Sequence, residues 1–194
     1  MKEKIIIVSG FAGSGKSTLA KKLAAAFDLK CVHASDLLKQ LMEKKAEEIN
    51  VNKTTEGRGW WETEEAKEFM KKRMNDGSMD RELDKMLLEI IEEGNVVLDS
   101  WTMPWLSKKG FRIWLEANAE ERTKRVAGRD KLDYSEVLER IKSRDEKTTR
   151  IYRDLYGFEF GVDKTPFNIA IDAALPKEEV FKQAKQALER YFNE

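Results

Sequence analysis

The sequence predicts a three-layer α/β fold, with a parallel central sheet and helices on both of its faces, organised as one domain over residues 1–194. Three observations predict it. Short apolar, β-branched runs alternate with helical stretches from one end of the chain to the other. The runs are apolar throughout instead of alternating with polar residues, as expected of strands covered on both sides. The chain also lacks internal repeats and any linker long enough to divide it.

The elements follow in order. Lys4 to Ser9 is a β-branched run bounded by glycine and reads as a buried strand. Lys16 to Phe27 is a helix with Leu19, Leu23 and Phe27 on one stripe. Lys30 to Ala34 is a second strand, and Ser35 caps a helix starting near Asp36. The polar, glycine-punctuated stretch Glu47 to Gly59 reads as irregular. Helices are expected over Glu62 to Met74 and Asp80 to Glu93, separated by Asn75-Asp76-Gly77-Ser78. Val96 to Asp99 and Phe111 to Leu115 are strands. Ala119 to Arg129 and Tyr134 to Tyr156 are helices, Phe167 to Ile171 the last strand, and Lys177 to Phe192 the last helix.

Composition narrows the function classes. Lysine plus arginine equals aspartate plus glutamate, 36 against 36, so nothing draws the whole chain toward nucleic acid or an anionic membrane. A basic site must therefore be local. One cysteine, Cys31, and one histidine, His33, allow neither a disulfide framework nor a Cys/His metal cluster. The apolar run Ile5 to Val8 is too short for a signal-peptide core, and no segment could span a bilayer. The expected location is the cytoplasm, and the expected assembly a monomer or weak dimer.

The strongest chemical signal is Gly10-Phe11-Ala12-Gly13-Ser14-Gly15-Lys16-Ser17, a full match to G-x-x-x-x-G-K-[ST] between a strand and a helix. Glycines let backbone N–H groups turn inward around phosphate oxygens, and the following helix adds the positive end of its dipole. This pattern predicts that a nucleoside triphosphate binds along Gly10, Ala12, Gly13, Ser14, Gly15 and Lys16. Lys16 reaches its outer phosphates and Ser17 ligates Mg²⁺. Asp99 ends a parallel strand on the edge where ligands bind, which makes it the second candidate for the Mg²⁺ shell; the bland alternative is a turn cap.

A basic series follows: Arg122, Arg125 and Arg129 on one helix face, then Arg140, Arg144 and Lys147 on the next, with Arg150 beyond. It reads either as a phosphate clamp or as solvated faces paired internally, since Glu121 precedes Arg125 by four residues and Glu146 precedes Arg150 by four. Trp60, Trp61, Trp101 and Trp105 could stack on an acceptor base or pack a core. His33 reads as a packed histidine that lies on the ligand edge.

With these motifs together, the chain resembles the P-loop nucleoside monophosphate kinases. Gly10, Gly13, Gly15, Lys16, Ser17 and Thr18 match the glycine-rich loop. Arg125-Val126-Ala127-Gly128-Arg129 resembles the start of the mobile lid of adenylate and cytidylate kinases, and Ile141-Lys142-Ser143-Arg144-Asp145 its end. Asp80-Arg81-Glu82-Leu83-Asp84, Glu93-Gly94-Asn95-Val96-Val97-Leu98, Tyr152 and Tyr156-Gly157 are similar to the archaeal-type cytidylate kinases. The resemblance implies ATP as donor with Mg²⁺, and CMP or dCMP as acceptor. It places Arg125 against the donor base, Arg129 on the donor phosphates and Arg144 on the transferred phosphoryl group. It implies a lid over about 129–144 and an acceptor-binding flap over about 35–80, with Ser35, Asp36, Lys39, Arg81, Asp99 and Trp101 on the acceptor side.

Three positions depart from that branch. Lys39, Ser100-Trp101 and Ile151 stand where it carries an arginine, a Gly-Arg pair and an arginine, all serving the acceptor. Arg81, Arg150 and Arg153 are near enough in sequence to compensate. The altered acceptor half leaves open another small phosphate acceptor, such as dephospho-coenzyme A. A nucleotide-binding switch protein is the alternative from another class, against which the paired arginine helices argue.

Overall fold

The computed structural model describes residues 3–43 and 64–193. The chain alternates β1 (Ile5–Ser9), α1 (Lys16–Phe27), β2 (Lys30–His33), α2 (Ala34–Glu43), α3 (Glu64–Asn75), α4 (Ser78–Glu93), β3 (Val96–Asp99), α5 (Met103–Leu106), β4 (Phe111–Glu116), α6 (Ala119–Asp130), α7 (Tyr134–Tyr156), β5 (Ile169–Asp172) and α8 (Lys177–Asn193). The five strands form one parallel sheet in the order β2-β3-β1-β4-β5.

Alternation of side chains on the central strand divides the core. Ile6 and Val8 point to one face, where Leu19 and Leu23 of α1 meet Val180, Ala184 and Leu188 of α8. Ile5 and Ile7 point to the other, where Leu37 and Leu38 of α2 meet Leu83, Leu87, Ile90 and Ile91 of α4. Every residue of β1 is buried, so the strand is apolar without alternation, as read from its sequence. A third cluster is aromatic: Trp114, Tyr152, Phe158 and Phe160, with Phe11, Trp101, Trp105 and Phe167 packed against them.

The register positions the site. Val8 pairs with Asp99 and His33 pairs with Asp99 on its other side, so β1, β2 and β3 end together on one edge. The glycine loop starts from that same edge. Strand crossing at this point is where doubly wound sheets bind ligands.

Several boundaries differ from the sequence expectation. β2 ends at His33 and α2 begins at Ala34, so Ser35 lies inside the first turn instead of capping it. α4 begins at Ser78, where Asp76 accepts from the backbone N–H of Ser78 at 2.8 Å and closes the turn locally. The short helix α5 went unread because Pro104 and two tryptophans obscure its period; Pro sits at its first turn, where no intrahelical N–H is lost. β5 starts at Ile169, since Phe167 is drawn into the aromatic cluster. Glu47 to Gly59, Trp60 and Trp61 lie outside the described residues. Among the described residues, no helix is long and apolar enough to cross a membrane.

Candidate active site

The glycine loop runs from Gly10 to the start of α1. Gly10 has φ 147°, and a Cβ there would lie 2.7 Å from the Leu115 carbonyl oxygen. Gly13 has φ 81°, with Val126 and Arg122 atoms 3.1–3.2 Å from where its Cβ would stand. Neither position admits a side chain without strain, and both keep the backbone close enough to wrap a phosphate.

Two arginines of α6 brace the loop from behind. Arg122, 3% exposed, donates to the carbonyl oxygens of Ala117 at 3.0 Å and Ala12 at 3.2 Å, and pairs with Asp145 of α7 at 2.6 Å. Its guanidinium also lies 5.0 Å from the Phe11 ring centre. Arg125 donates to the Ser14 carbonyl at 3.3 Å and to the Ala173 carbonyl beyond β5. Phe11 packs edge-on against Trp114 and Phe160, which fixes the outer corner of the loop.

Lys16 Nζ donates to the Phe11 carbonyl at 3.0 Å, curled over its own loop. Removal from water pulls its pKa down to about 8, with Arg144 and Arg122 adding to the fall and Asp99 opposing it. Ser14 Oγ is buried with no hydrogen-bond partner among the described residues. A phosphate oxygen in the loop would satisfy such an atom, so the loop fits a polyphosphate ligand.

At the loop's end, Ser17 Oγ donates to Asp99 Oδ2 at 2.5 Å, and His33 Nδ1 meets the same oxygen at 3.1 Å. Cys31 Sγ lies 3.6 Å from the other ring nitrogen of His33. Burial alone would lower the histidine pKa. The bonds to Asp99 and Cys31 and the Asp99 charge outweigh it and hold His33 up at about 10. Burial would likewise raise Asp99, but His33, Lys16 and Ser17 keep it below the usual carboxylate range. A hydroxyl and a carboxylate 2.5 Å apart beside a phosphate loop suit a hard divalent cation.

From here an open cleft of about 1950 Å³ runs to α3 and α4. Its far wall carries two buried polar clusters. Arg73 of α3 grips Asp80 of α4, with Nε 2.9 and 2.8 Å from the two carboxylate oxygens and one terminal nitrogen 2.5 Å from Oδ1. That same nitrogen donates to Tyr152 Oη at 2.8 Å. One turn on, Asp84 accepts from Thr102 at 2.5 Å and Tyr156 at 2.6 Å, and burial lifts its pKa to about 6 against those two bonds. Trp101 stands between the halves, its indole flanked by Lys16, Arg73 and Arg144.

A family description, the cytidylate kinase-like family, matches residues 5–174 of the chain. The chain belongs to the cytidylate kinase-like family. Among its relatives, the cytidylate kinase of Ignicoccus hospitalis is 35% identical over 173 residues, covering 88% of this chain and 90% of the relative. The cytidylate kinase of Pyrococcus horikoshii is 31% identical over 191 residues, covering 97% and 90%. In fold, the chain is similar to a shikimate kinase of Acinetobacter baumannii with a TM-score of 0.55 at 14% identity, covering 99% of this chain and 94% of that one.

Of the residues expected on the donor side, Ala12, Gly13, Ser14, Gly15, Lys16, Ser17, Thr18, Arg125, Arg129 and Arg144 line the cleft. Of those expected on the acceptor side, Ser35, Asp36, Lys39, Asp99 and Trp101 line it too. Gly10 sits at the loop's root, outside the lining. Arg81 is exposed and outside the lining too, and Arg150 and Arg153 are exposed beside Asp154. The three arginines near enough in sequence to compensate are thus outside the cleft lining. The anticipated helix pairs do not form either: Glu121 pairs with Lys124 instead of Arg125, and Arg150 with Asp154. Arg129 pairs with Asp130 in this state.

Sequence reasoning missed Arg73 and the bracing role of Arg122. Arg73 sat in a stretch read only as a helix, and its one signal was Asp80 seven residues on, across the break at Gly77. Trp105 belongs to the core, stacked on Phe158 at 4.3 Å.

The His33–Asp99 pair predicts a pH dependence of stability. His33 is held protonated in the fold up to about pH 10, against an unfolded value of 6.5. Its contribution is complete below pH 6.5 and declines as pH rises. Lys16 acts oppositely above about pH 8, where the fold favours its neutral form. The clean window is therefore about pH 6.5 to 8. There, urea unfolding should give a falling free energy for the parent protein and a flatter one for His33→Asn. Equal slopes for the two proteins in that window would refute the pairing.

Proposed function

We propose that the protein transfers the γ-phosphoryl group of ATP to CMP or dCMP, with Mg²⁺, as a monomer or weak dimer in the cytoplasm. The observation that carries this reading is a single cleft in which Lys16, Ser17–Asp99 and Arg144 face a second half built on α2, α3 and α4. The family membership supports the reaction, and the cytidylate kinases among its relatives support the acceptor.

Phosphoryl transfer asks the protein for positioning and charge, with little covalent chemistry. The loop N–H groups and Ser14 hold the donor's phosphates. Lys16, released from the Phe11 carbonyl, follows the γ-phosphoryl group. Ser17 and Asp99 would hold Mg²⁺, which neutralises charge between the β- and γ-phosphates when bound. Arg125 walls the donor base, and Arg129 and Arg144 close from the α6–α7 hairpin, the lid over about 129–144. Arg144 sits on the face of Trp101, 5.0 Å from its ring centre, at the junction of the two halves. The flap over about 35–80, with Ser35, Asp36 and Lys39 at its root, meets the acceptor beside Trp101.

The test is ADP release measured with CMP, dCMP, UMP, AMP and dephospho-coenzyme A in turn. The reading expects CMP or dCMP to give the highest kcat/KM, by about tenfold or more over AMP, a difference of about 1.4 kcal/mol. Preference for dephospho-coenzyme A would move the protein to a different acceptor class.

A further inference from the structure

Three cations of the cleft converge on one indole. The Trp101 ring centre lies 5.0 Å from the guanidinium of Arg144, 5.8 Å from Lys16 Nζ and 6.0 Å from the guanidinium of Arg73. Two of these belong to the donor half. Arg73 comes from α3 on the opposite side. Among the described residues of α2, α3 and α4, it is the only arginine lining the cleft.

Arg73 is set as a tool is set in a holder. It is 5% exposed, Asp80 grips its Nε edge, and Tyr152 accepts one proton of a terminal nitrogen. Among the described residues, the other terminal nitrogen meets only the Met70 sulfur, a weak acceptor, at 3.6 Å. The guanidinium plane is therefore fixed, with the Nη1 protons left for a stronger acceptor.

The three acceptor positions that depart from the archaeal branch hold Lys39, Trp101 and Ile151. Ile151 is buried in the aromatic cluster and precedes Tyr152, the residue whose hydroxyl Arg73 holds. A guanidinium missing from α7 at 151 is thus present beside it, delivered from α3.

We propose that Arg73 binds the phosphate of the acceptor, a relocated arginine in place of those expected at positions 39, 101 and 151. The proposal rests on reading the cleft as a nucleoside monophosphate kinase site. Asp80 and Tyr152 are positioning residues: they touch Arg73 and set the plane of its fork. A charge-assisted bond from Nη1 selects a phosphorylated acceptor over the bare nucleoside.

The test uses two variants. Arg73→Lys keeps the charge and loses the fork. The double variant Arg73→Met with Asp80→Leu removes the buried pair together, so no carboxylate is left alone. KM and kcat are measured for CMP and ATP, and calorimetry compares binding of CMP with binding of cytidine. Both variants should raise KM for CMP about 10- to 100-fold, the range of one lost charge-assisted contact. KM for ATP should stay within about twofold, and cytidine affinity should be unchanged. An unchanged KM for CMP in either folded variant would overturn the proposal. So would an equal loss of CMP and cytidine binding, the signature of a merely structural pair. If the parent protein rejects CMP and uses another phosphorylated acceptor, the CMP reading fails, and the same comparison on that acceptor and its dephosphorylated form decides the role of Arg73.

Discussion

Lys16→Ala should lower kcat/KM for ATP by about three orders of magnitude while leaving the melting temperature within a few degrees of the parent. In the proposed reaction Lys16 is the charge that tracks the transferring group, and no other side chain of the loop carries one. Loss of a fixed charge where negative charge develops costs about 3–4 kcal/mol in a site shielded from water. The fold has little stake in it: Lys16 makes one bond, to the Phe11 carbonyl, in a loop already braced by Arg122 and Arg125. Steady-state kinetics and a thermal melt check both halves. Turnover near that of the parent in a folded variant would remove Lys16 from the reaction.

Arg144→Ala is the second large effect. Arg144 should act on the transition state more than on the bound substrates, so kcat falls by about 10³ and KM for either nucleotide changes by less than about threefold. The physical reason is its location. It reaches the junction of the donor and acceptor halves from α7, where the face of Trp101 holds its guanidinium in the state seen here. Single-turnover measurements separate the chemical step from product release. A drop confined to KM, with kcat intact, would make Arg144 a binding residue only.

The donor half was legible from the sequence because its chemistry is local. Gly10 to Ser17 carries its function in eight consecutive residues, and the strand and helix on either side are strongly patterned. Asp99 was singled out for a related reason, its place at the end of an apolar parallel strand, and the structure sets it against Ser17 Oγ. The polar cluster on the far wall was not legible. Arg73, Asp80 and Tyr152 meet through tertiary packing across 79 residues of chain. Nothing in the local composition of α3 separates a buried arginine from its exposed neighbours Lys71 and Lys72. Arg81 illustrates the converse, since it belongs to the stretch that matched the archaeal pattern and yet faces solvent on α4.

Arg122 teaches a similar lesson. Its spacing from Arg125 and Arg129 put all three on one helix face, and sequence alone treated them alike. The structure divides their labour by depth along α6. Arg122 is buried against the back of the glycine loop, Arg125 reaches its Ser14 carbonyl, and Arg129 is exposed at the lid corner. The aromatic cluster behind them joins the lid helix to the loop, through Tyr152, Phe160 and Phe11. The sequence pattern did not show that this packing ties α7 to the glycine loop.

The central claim is that one cleft holds a donor and an acceptor nucleotide end to end across Trp101. A bisubstrate ligand tests it most directly: adenosine and cytidine joined through five phosphates, titrated by calorimetry in the presence of Mg²⁺. The account predicts one site per chain, with affinity at least about 100-fold tighter than ATP alone, because linking the two halves removes the cost of bringing them together. Arg73→Lys should weaken that ligand and leave ATP binding unchanged. Binding no tighter than ATP, or two ligands per chain, would contradict the shared cleft.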